Sequence, residues 1–168
     1  ENHPVENLDS LKAFDAVVVA AGAWSSQISA RELPPAEPVK GHLIGYQQTP
    51  GMYRTILRHG HTYLLQRAGG LLIAGSSEEH VGFDRSIDSG IVSGIAARAA
   101  FLLPHLANQA PTEAWTGLRP ASDTLHTGAY GAAGRLYLAY GHYRNGILLA
   151  PVTGRDLTRE FSASFEKR

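Results

Sequence analysis

The sequence predicts a mixed α/β (α+β) fold that combines a parallel-type layer with an antiparallel sheet. A continuous apolar run from Asp15 to Ala21 stops at Gly22, which is typical of a strand buried on both faces of a parallel sheet. Four short apolar runs follow between residues 39 and 76, with turns too short for parallel crossovers. Apolar residues at helical spacing come next. A parallel-type strand, antiparallel strands and then a helix together indicate a parallel layer and an antiparallel layer in one chain.

The segment after the first strand connects two parts of the predicted fold. Residues 24–31 fit a short helix capped by Ser25 or a loop, and the cluster Pro34–Pro38 then breaks regular structure. We interpret the proline cluster as a crossing between domains. Since the final elements are expected to return to the first layer, the predicted domains are 1–37, 38–114 and 115–168.

The remaining elements follow from apolar periodicity and turn residues. Antiparallel strands are predicted at 40–48, 53–58, 62–67 and 71–75. A stripe of apolar residues predicts a helix over 87–103, formed by Ile91, Ile95, Ala99 and Leu102 and ended by Pro104. The last predicted elements are strands at 114–118 and 136–140, a flexible loop at 128–134, and a helix at 147–165 that begins near Asn145-Gly146 and accommodates Pro151.

Composition excludes several classes of function. The 168 residues include 15 Lys+Arg against 15 Asp+Glu, so the chain lacks the basic surface of a nucleic-acid-binding protein. The absence of cysteine excludes disulfides, thiolate metal ligands and a cysteine nucleophile. No apolar run approaches the ~20 residues that span a bilayer, so no membrane span is expected. We expect a cytoplasmic protein, and the start at Glu1 suggests a trimmed chain or part of a longer one.

A glycine-bounded phrase between a predicted strand and a predicted helix is the first candidate site. Gly141 and Gly146 enclose His142, Tyr143, Arg144 and Asn145. Such a turn directs backbone amides and a helix N-terminus at an electron-rich ligand. The alternative is an ordinary turn that uses glycine for its backbone conformation. The polar residues between the glycines favour a site.

Two arginines are candidate anchors for a carboxylate. Arg119 lies in Trp115–Pro120, between a predicted strand and a proline-fixed turn, and Arg144 lies in the glycine-bounded phrase. The planar guanidinium group matches a carboxylate better than an ammonium group does. A surface arginine paired with Asp123 or Glu113 is the plainer alternative.

Other catalytic chemistries receive little support. His59 and His61 fall at a hairpin end without carboxylates at ligand spacing, so no metal site is predicted. The serines, among them Ser25, Ser76 and Ser77, lack the nucleophile-elbow motif. The glycines of 128–134 have the wrong spacing and context for a dinucleotide fingerprint.

Together, five phrases resemble the D-amino-acid oxidase family of FAD enzymes, and above all its glycine oxidase branch. They occur in the family's order over almost the whole chain: Ala16–Ser25, Pro38–Gly41, Gly75–Glu79, Trp115–Pro120 and Gly141–Pro151. The resemblance covers the C-terminal half of the family's pattern. The opening strand and glycine fingerprint that hold the FAD pyrophosphate are not in this sequence.

The resemblance implies a partial FAD-binding Rossmann-like layer, at 1–37 and 115–168, and an antiparallel substrate domain at 38–114. It assigns the substrate carboxylate to Arg119 and Arg144, and an active-site role to Tyr63. Cofactor contacts fall on Val5, Gly22, Gly141, His142, Tyr143, Arg144, Asn145, Gly146, Ile147 and Leu148. Glu78 departs from the pattern, since glycine oxidases have an apolar residue facing the pocket there. Its carboxylate would repel the substrate carboxylate and attract an amine, or simply point to solvent.

The family reaction passes a hydride from the substrate α-carbon to flavin N5, and the resulting imine hydrolyses while oxygen is reduced to peroxide. The resemblance therefore implies oxidation of a small amino acid or amine by an FAD enzyme. Two alternatives stay open, a non-catalytic remnant and a dehydrogenase with another electron acceptor. We also expect an oligomer, or association with an N-terminal FAD-binding portion, because the first strand would otherwise expose an apolar edge.

Overall fold

The computed structural model describes residues 4–28, 33–131 and 134–165. The chain divides into two compact units. The first unit consists of Glu1–Val39 with Arg119–Arg168, and the second is Lys40–Leu118. Within the described residues, no helix is both long and apolar enough to span a membrane.

The structure contains eight strands and two α-helices in the described residues. The strands are β1 (Val17–Val19), β2 (Glu37–Gln47), β3 (Leu57–His59), β4 (Thr62–Gln66), β5 (Leu71–Gly75), β6 (Glu113–Ala121), β7 (His126–Tyr130) and β8 (Leu136–Tyr140). The helices are α1 (Ser89–Leu102) and α2 (Gly146–Phe165). Short 3-10 helices span Leu8–Leu11, Gly22–Gln27, Pro104–Asn108 and Tyr143–Asn145.

The first unit is built on a three-stranded sheet of order β1-β8-β7. β1 pairs with β8 in parallel, with Val18 opposite Tyr137, and β7 pairs with β8 as an antiparallel hairpin. Buried Val19, Leu138 and Tyr140 form the centre of its core. The parallel pairing of β1 was predicted, but its burial on both faces was not correct, because Val18 is 50% exposed at the sheet edge.

The second unit carries most of a five-stranded sheet of order β3-β4-β5-β2-β6. β2, β4 and β5 pair antiparallel, with Ile44 and Leu64 both opposite Ala74. α1 supplies Ile95 and Ala99 to the core beneath this sheet, as the predicted apolar stripe requires. Asp88 caps the helix, since its carboxylate accepts from the amides of Gly90 and Ile91. Packing against the sheet therefore holds the apolar face of α1, and the Asp88 cap stabilises its first turn.

Several predicted boundaries were wrong because proline was given too much weight. β2 begins at Glu37 and includes Pro38, at the strand's start, where a missing amide donor is tolerated. β6 runs through Arg119 and Pro120, so the predicted proline turn is a strand, and β6 lies at the edge of its sheet. Proline at a strand start or on an edge strand costs no interior hydrogen bond.

Three further predictions needed correction. The four central strands are not a simple meander, because β2 lies between β5 and β6. The predicted strand at 53–58 is reduced to Leu57–His59. β7 includes Gly128–Tyr130, so the glycine-rich run is partly a strand, and Ala132 and Ala133 of the predicted loop lie outside the described residues.

Candidate active site

The glycine-bounded turn joins β8 to α2 in a constrained conformation. Gly141 has φ +86, and a Cβ there would lie 3.1 Å from the carbonyl oxygen of Thr124. Tyr143 also has a positive φ of 50, which is unusual for a residue with a side chain. The amide of Asn145 donates to the carbonyl of His142 at 2.9 Å. The chain therefore turns tightly and enters α2 at Gly146, as predicted.

The first turn of α2 exposes apolar side chains beside the first helix amides. Ile147 is 96% exposed and Leu148 is 78% exposed. The first amide groups of a helix have no carbonyl partner within it, and they carry the positive end of the helix dipole. An apolar surface next to amide donors fits a large planar ligand with an electron-rich edge. The isoalloxazine ring of a flavin has this character, so the residues present fit FAD.

Two side chains of the turn have defined surroundings. His142 is half-buried, and its Nε2 lies 2.9 Å from the Thr153 hydroxyl on α2. Burial lowers the pKa of His142, which favours the neutral imidazole at pH 7. The exposed Arg144 guanidinium lies over the ring of Tyr143, 5.4 Å from its centroid. The turn therefore presents a cation supported by an aromatic ring next to a neutral histidine.

Val5 lies in a groove of the first unit that continues to the end of β1. The groove has a volume of about 650 Å³, and its walls are Pro4, Val5, Glu6, Ala21, Trp24, Gln27 and Ile28. Gly22 begins the 3-10 helix after β1 with φ +57, and a Cβ there would meet no atom within 4 Å. The groove thus places Val5 near Ala21, in the turn that follows β1.

The predicted substrate residues divide between the two units. Arg119, half-buried on β6, and Arg144 belong to the first unit. Tyr63 and Glu78 belong to the second. On β4, half-buried Tyr63 lies opposite Gly75, and a Cβ at Gly75 would be 3.3 Å from the tyrosine hydroxyl. Glu78 is exposed and follows the end of β5 by three residues.

Sequence reasoning missed a set of linked polar side chains in the second unit, which we call the polar cluster. Its members are Lys40, His42, Ser77, Glu79 and Asp84. The first two are 2% and 0% exposed. A signal was present, because Lys40 and His42 alternate along β2 and so point to one face of an otherwise apolar strand. Their partners lie 35 to 44 residues away in sequence, which spacing alone does not reveal.

The polar cluster pairs its charges closely. Lys40 Nζ lies 2.7 Å from Asp84 Oδ2 and 3.9 Å from Glu79 Oε2. The hydrogen bond from Lys40 is the main reason that the pKa of Asp84 lies well below its usual range. His42 Nδ1 lies 2.7 Å from Glu79 Oε1. Among the described residues, no group of three or more potential ligands is arranged to hold a metal ion.

Comparison with known proteins confirms the resemblance drawn from the sequence. A family model described as FAD dependent oxidoreductase matches residues 1–160. A glycine oxidase from Pseudomonas aeruginosa is 40% identical over 149 residues, which are 85% of this chain and 40% of that protein. A hydrogen cyanide synthase subunit HcnC from the same species is 34% identical over 149 residues, covering 85% of this chain and 36% of the relative.

The fold agrees with the solved structure of a glycine oxidase. The crystal structure of glycine oxidase from Geobacillus kaustophilus superposes with a TM-score of 0.81 at 31% identity. The match covers 88% of this chain and 41% of that one. The chain therefore spans less than half the length of these relatives.

Proposed function

Because the chain belongs to the FAD dependent oxidoreductase family, we propose that it is part of a flavoprotein that oxidises the carbon–nitrogen bond of a small amino acid or amine. The relatives named glycine oxidase support this substrate class. The observation that carries the proposal is the first turn of α2, where exposed Ile147 and Leu148 adjoin the helix amides. An exposed apolar patch marks a binding site for a ligand or a partner, and the adjoining helix N-terminus favours an electron-rich ligand.

We assign FAD binding to residues 1–37 and 115–168. The turn from Gly141 through Leu148 would lie along the isoalloxazine ring, with Ile147 and Leu148 against its apolar face. Val5 and Gly22 would border the more distant part of the cofactor, in keeping with the groove that Val5 lines. When bound, FAD would accept the hydride from the substrate α-carbon and pass the electrons on to oxygen.

We assign substrate binding to Arg119, Arg144, Tyr63 and Glu78. The two guanidinium groups would hold the substrate carboxylate, and this orientation presents the α-carbon to the cofactor. The family resemblance assigns Tyr63, in the second unit, to substrate binding. Neutral His142 adds no charge beside the flavin, which leaves the arginines as the electrostatic anchor.

A partner chain is part of this proposal. β1 is an edge strand of a three-stranded sheet, and Val18 on it is half exposed. Such an edge favours pairing with further strands. We propose that an N-terminal FAD-binding portion, or a second copy of the chain, covers this edge.

The function is tested in the complete flavoprotein that contains this chain. Small amino acids and amines are supplied one at a time, while oxygen consumption, peroxide and the absorbance of the flavin are followed. We expect bleaching of the flavin and stoichiometric peroxide with at least one small amino acid. Bleaching without oxygen consumption would identify a dehydrogenase, and no bleaching with any amine would contradict the proposal.

A further inference from the structure

The polar cluster surrounds a short segment that carries a proposed substrate residue. Glu79 exchanges both backbone hydrogen bonds with Lys40, each at 2.9 Å, in an antiparallel bridge. Ser77 Oγ accepts from the amide of His42 at 2.7 Å and donates to Glu79 Oε1 at 2.5 Å. The chain is thus fixed on both sides of Glu78.

The side chains of Ser77, Glu78 and Glu79 point alternately to the two sides of this segment. In extended chain, successive side chains point to opposite sides. Ser77 and Glu79 both contact buried His42, whereas Glu78 between them is exposed. Any shift of the pinned residues would therefore move Glu78 relative to Tyr63, whose strand neighbour Gly75 begins the same segment.

His42 connects the segment to the start of α1. Its Nε2 lies 3.0 Å from the amide nitrogen of Asp88, the residue that caps α1. Because a backbone amide can only donate, Nε2 carries no proton and the ring proton lies on Nδ1. Nδ1 therefore donates to Glu79, and one neutral imidazole joins β2, the segment after β5, and α1.

Burying these charged and polar side chains costs free energy, which suggests that the cluster has a specific role. Lys40 and His42 are almost fully buried, and Glu79 is 15% exposed at its side chain. Buried ionic groups commonly contribute no more to stability than apolar residues of the same volume, and in some proteins they specify one geometry. The cluster is thus better suited to holding a particular backbone position than to stabilising the unit.

We propose that the polar cluster positions Glu78 for the substrate. The side chains of the cluster thereby determine substrate choice without contacting the substrate. The role of Glu78 rests on the function proposed above. The cluster acts through backbone position, and Glu79 and His42 are its central positioning residues.

A double-mutant cycle tests whether the cluster acts through Glu78. In the flavin-loaded enzyme, Glu79→Gln should raise KM about fivefold or more while kcat stays within about twofold. In a Glu78→Ala background, the same change should alter KM by less than about twofold. Equal effects of Glu79→Gln in both backgrounds would overturn the proposal. If Glu79→Gln folds poorly, Ser77→Ala provides a milder perturbation, whose smaller increase in KM should likewise disappear in the Glu78→Ala background.

A measurement without substrate tests the positioning itself. His42→Ala should speed amide hydrogen exchange at Glu78 and Glu79 by about tenfold or more. His42→Gln should restore slow exchange, because its amide can donate to Glu79 and accept from Asp88. Thr112→Val is the matched control, since it removes a side-chain bond to the Gly45 carbonyl on the same strand β2. Unchanged exchange in His42→Ala would overturn the proposal whether or not the enzyme oxidises amino acids.

Discussion

The first turn of α2 and the polar cluster reverse the usual distribution of side chains. The turn exposes two adjacent large apolar residues, Ile147 and Leu148, and exposed apolar patches mark binding sites. The polar cluster buries Lys40 and His42, where a core is normally apolar. We interpret the exposed apolar turn as a cofactor surface and the buried polar cluster as a device that fixes backbone geometry. Removing a buried charge from the polar cluster should therefore lower stability, whereas substitutions in the turn should weaken FAD binding and leave stability almost unchanged.

The largest effect is expected from Lys40→Ala. Removing the buried ammonium leaves Glu79 without a close cation, so the free energy of unfolding should fall by about 3 kcal/mol. Asp84 contributes less to this loss because its side chain is 47% exposed. Urea denaturation gives the value. Lys12→Ala is the control, since it removes an exposed pair with Asp9 and should change stability by less than about 1 kcal/mol.

Arg119→Ala should affect kinetics in the complete flavoprotein more than stability. A lost charge-assisted hydrogen bond to a substrate carboxylate is equivalent to about 1.5–3 kcal/mol, which raises KM about 10- to 150-fold. Steady-state kinetics measures this change. Arg159→Ala, at an exposed position on α2, should leave KM unaltered. Normal kinetics in Arg119→Ala would remove this residue from the proposed substrate site.

Ile147→Ala tests the role of the exposed apolar turn at the start of α2. Because Ile147 is almost fully exposed, the substitution should change the free energy of unfolding of the cofactor-free protein by less than about 0.5 kcal/mol. FAD affinity should fall about tenfold, since apolar area would no longer be covered by the cofactor. Fluorescence titration with FAD measures the affinity. Phe101→Ala on α1 is the control, because Phe101 is also exposed but lies in the other unit.

The smallest effect is a pH dependence that originates at His142. Its pKa is lowered in the folded state, so the unfolded chain takes up a proton first as the pH falls. The stability contribution is therefore full above about pH 6.5 and decreases below it. Thermal unfolding from pH 7.5 to 5 should show a smaller decrease for His142→Gln than for wild type. Identical pH profiles would contradict the assigned pKa direction.

Local sequence patterns predicted the elements that depend on neighbouring residues. The bounds of β5 and β8 and the start of α2 agree with the structure because apolar runs and glycines mark them. The extension of β6 through Pro120 was missed, since only the sheet order shows that β6 is an edge strand. Proline is excluded from central strands and not from edges.

For the candidate site, the sequence predicted the turn conformation at Gly141–Gly146, which the structure shows. Arg119 was singled out from the residues themselves, and its role, like the roles of the turn residues, comes from the family resemblance and stays a prediction. The polar cluster was not found, because Lys40 and Asp84 are far apart in sequence and meet only through the fold. Long-range pairing of this kind depends on strand order, which one sequence does not specify.

The most direct test of the central claim is the visible absorption spectrum of the complete flavoprotein containing this chain, in wild type and Ile147→Asp. A charge at position 147 would be desolvated against the isoalloxazine ring, which costs far more than the loss of apolar area in Ile147→Ala. We predict that wild type binds FAD with a perturbed flavin spectrum and that Ile147→Asp remains folded and colourless after purification. Equal flavin content and identical spectra in the two proteins would contradict the assignment of the first turn of α2 to the cofactor.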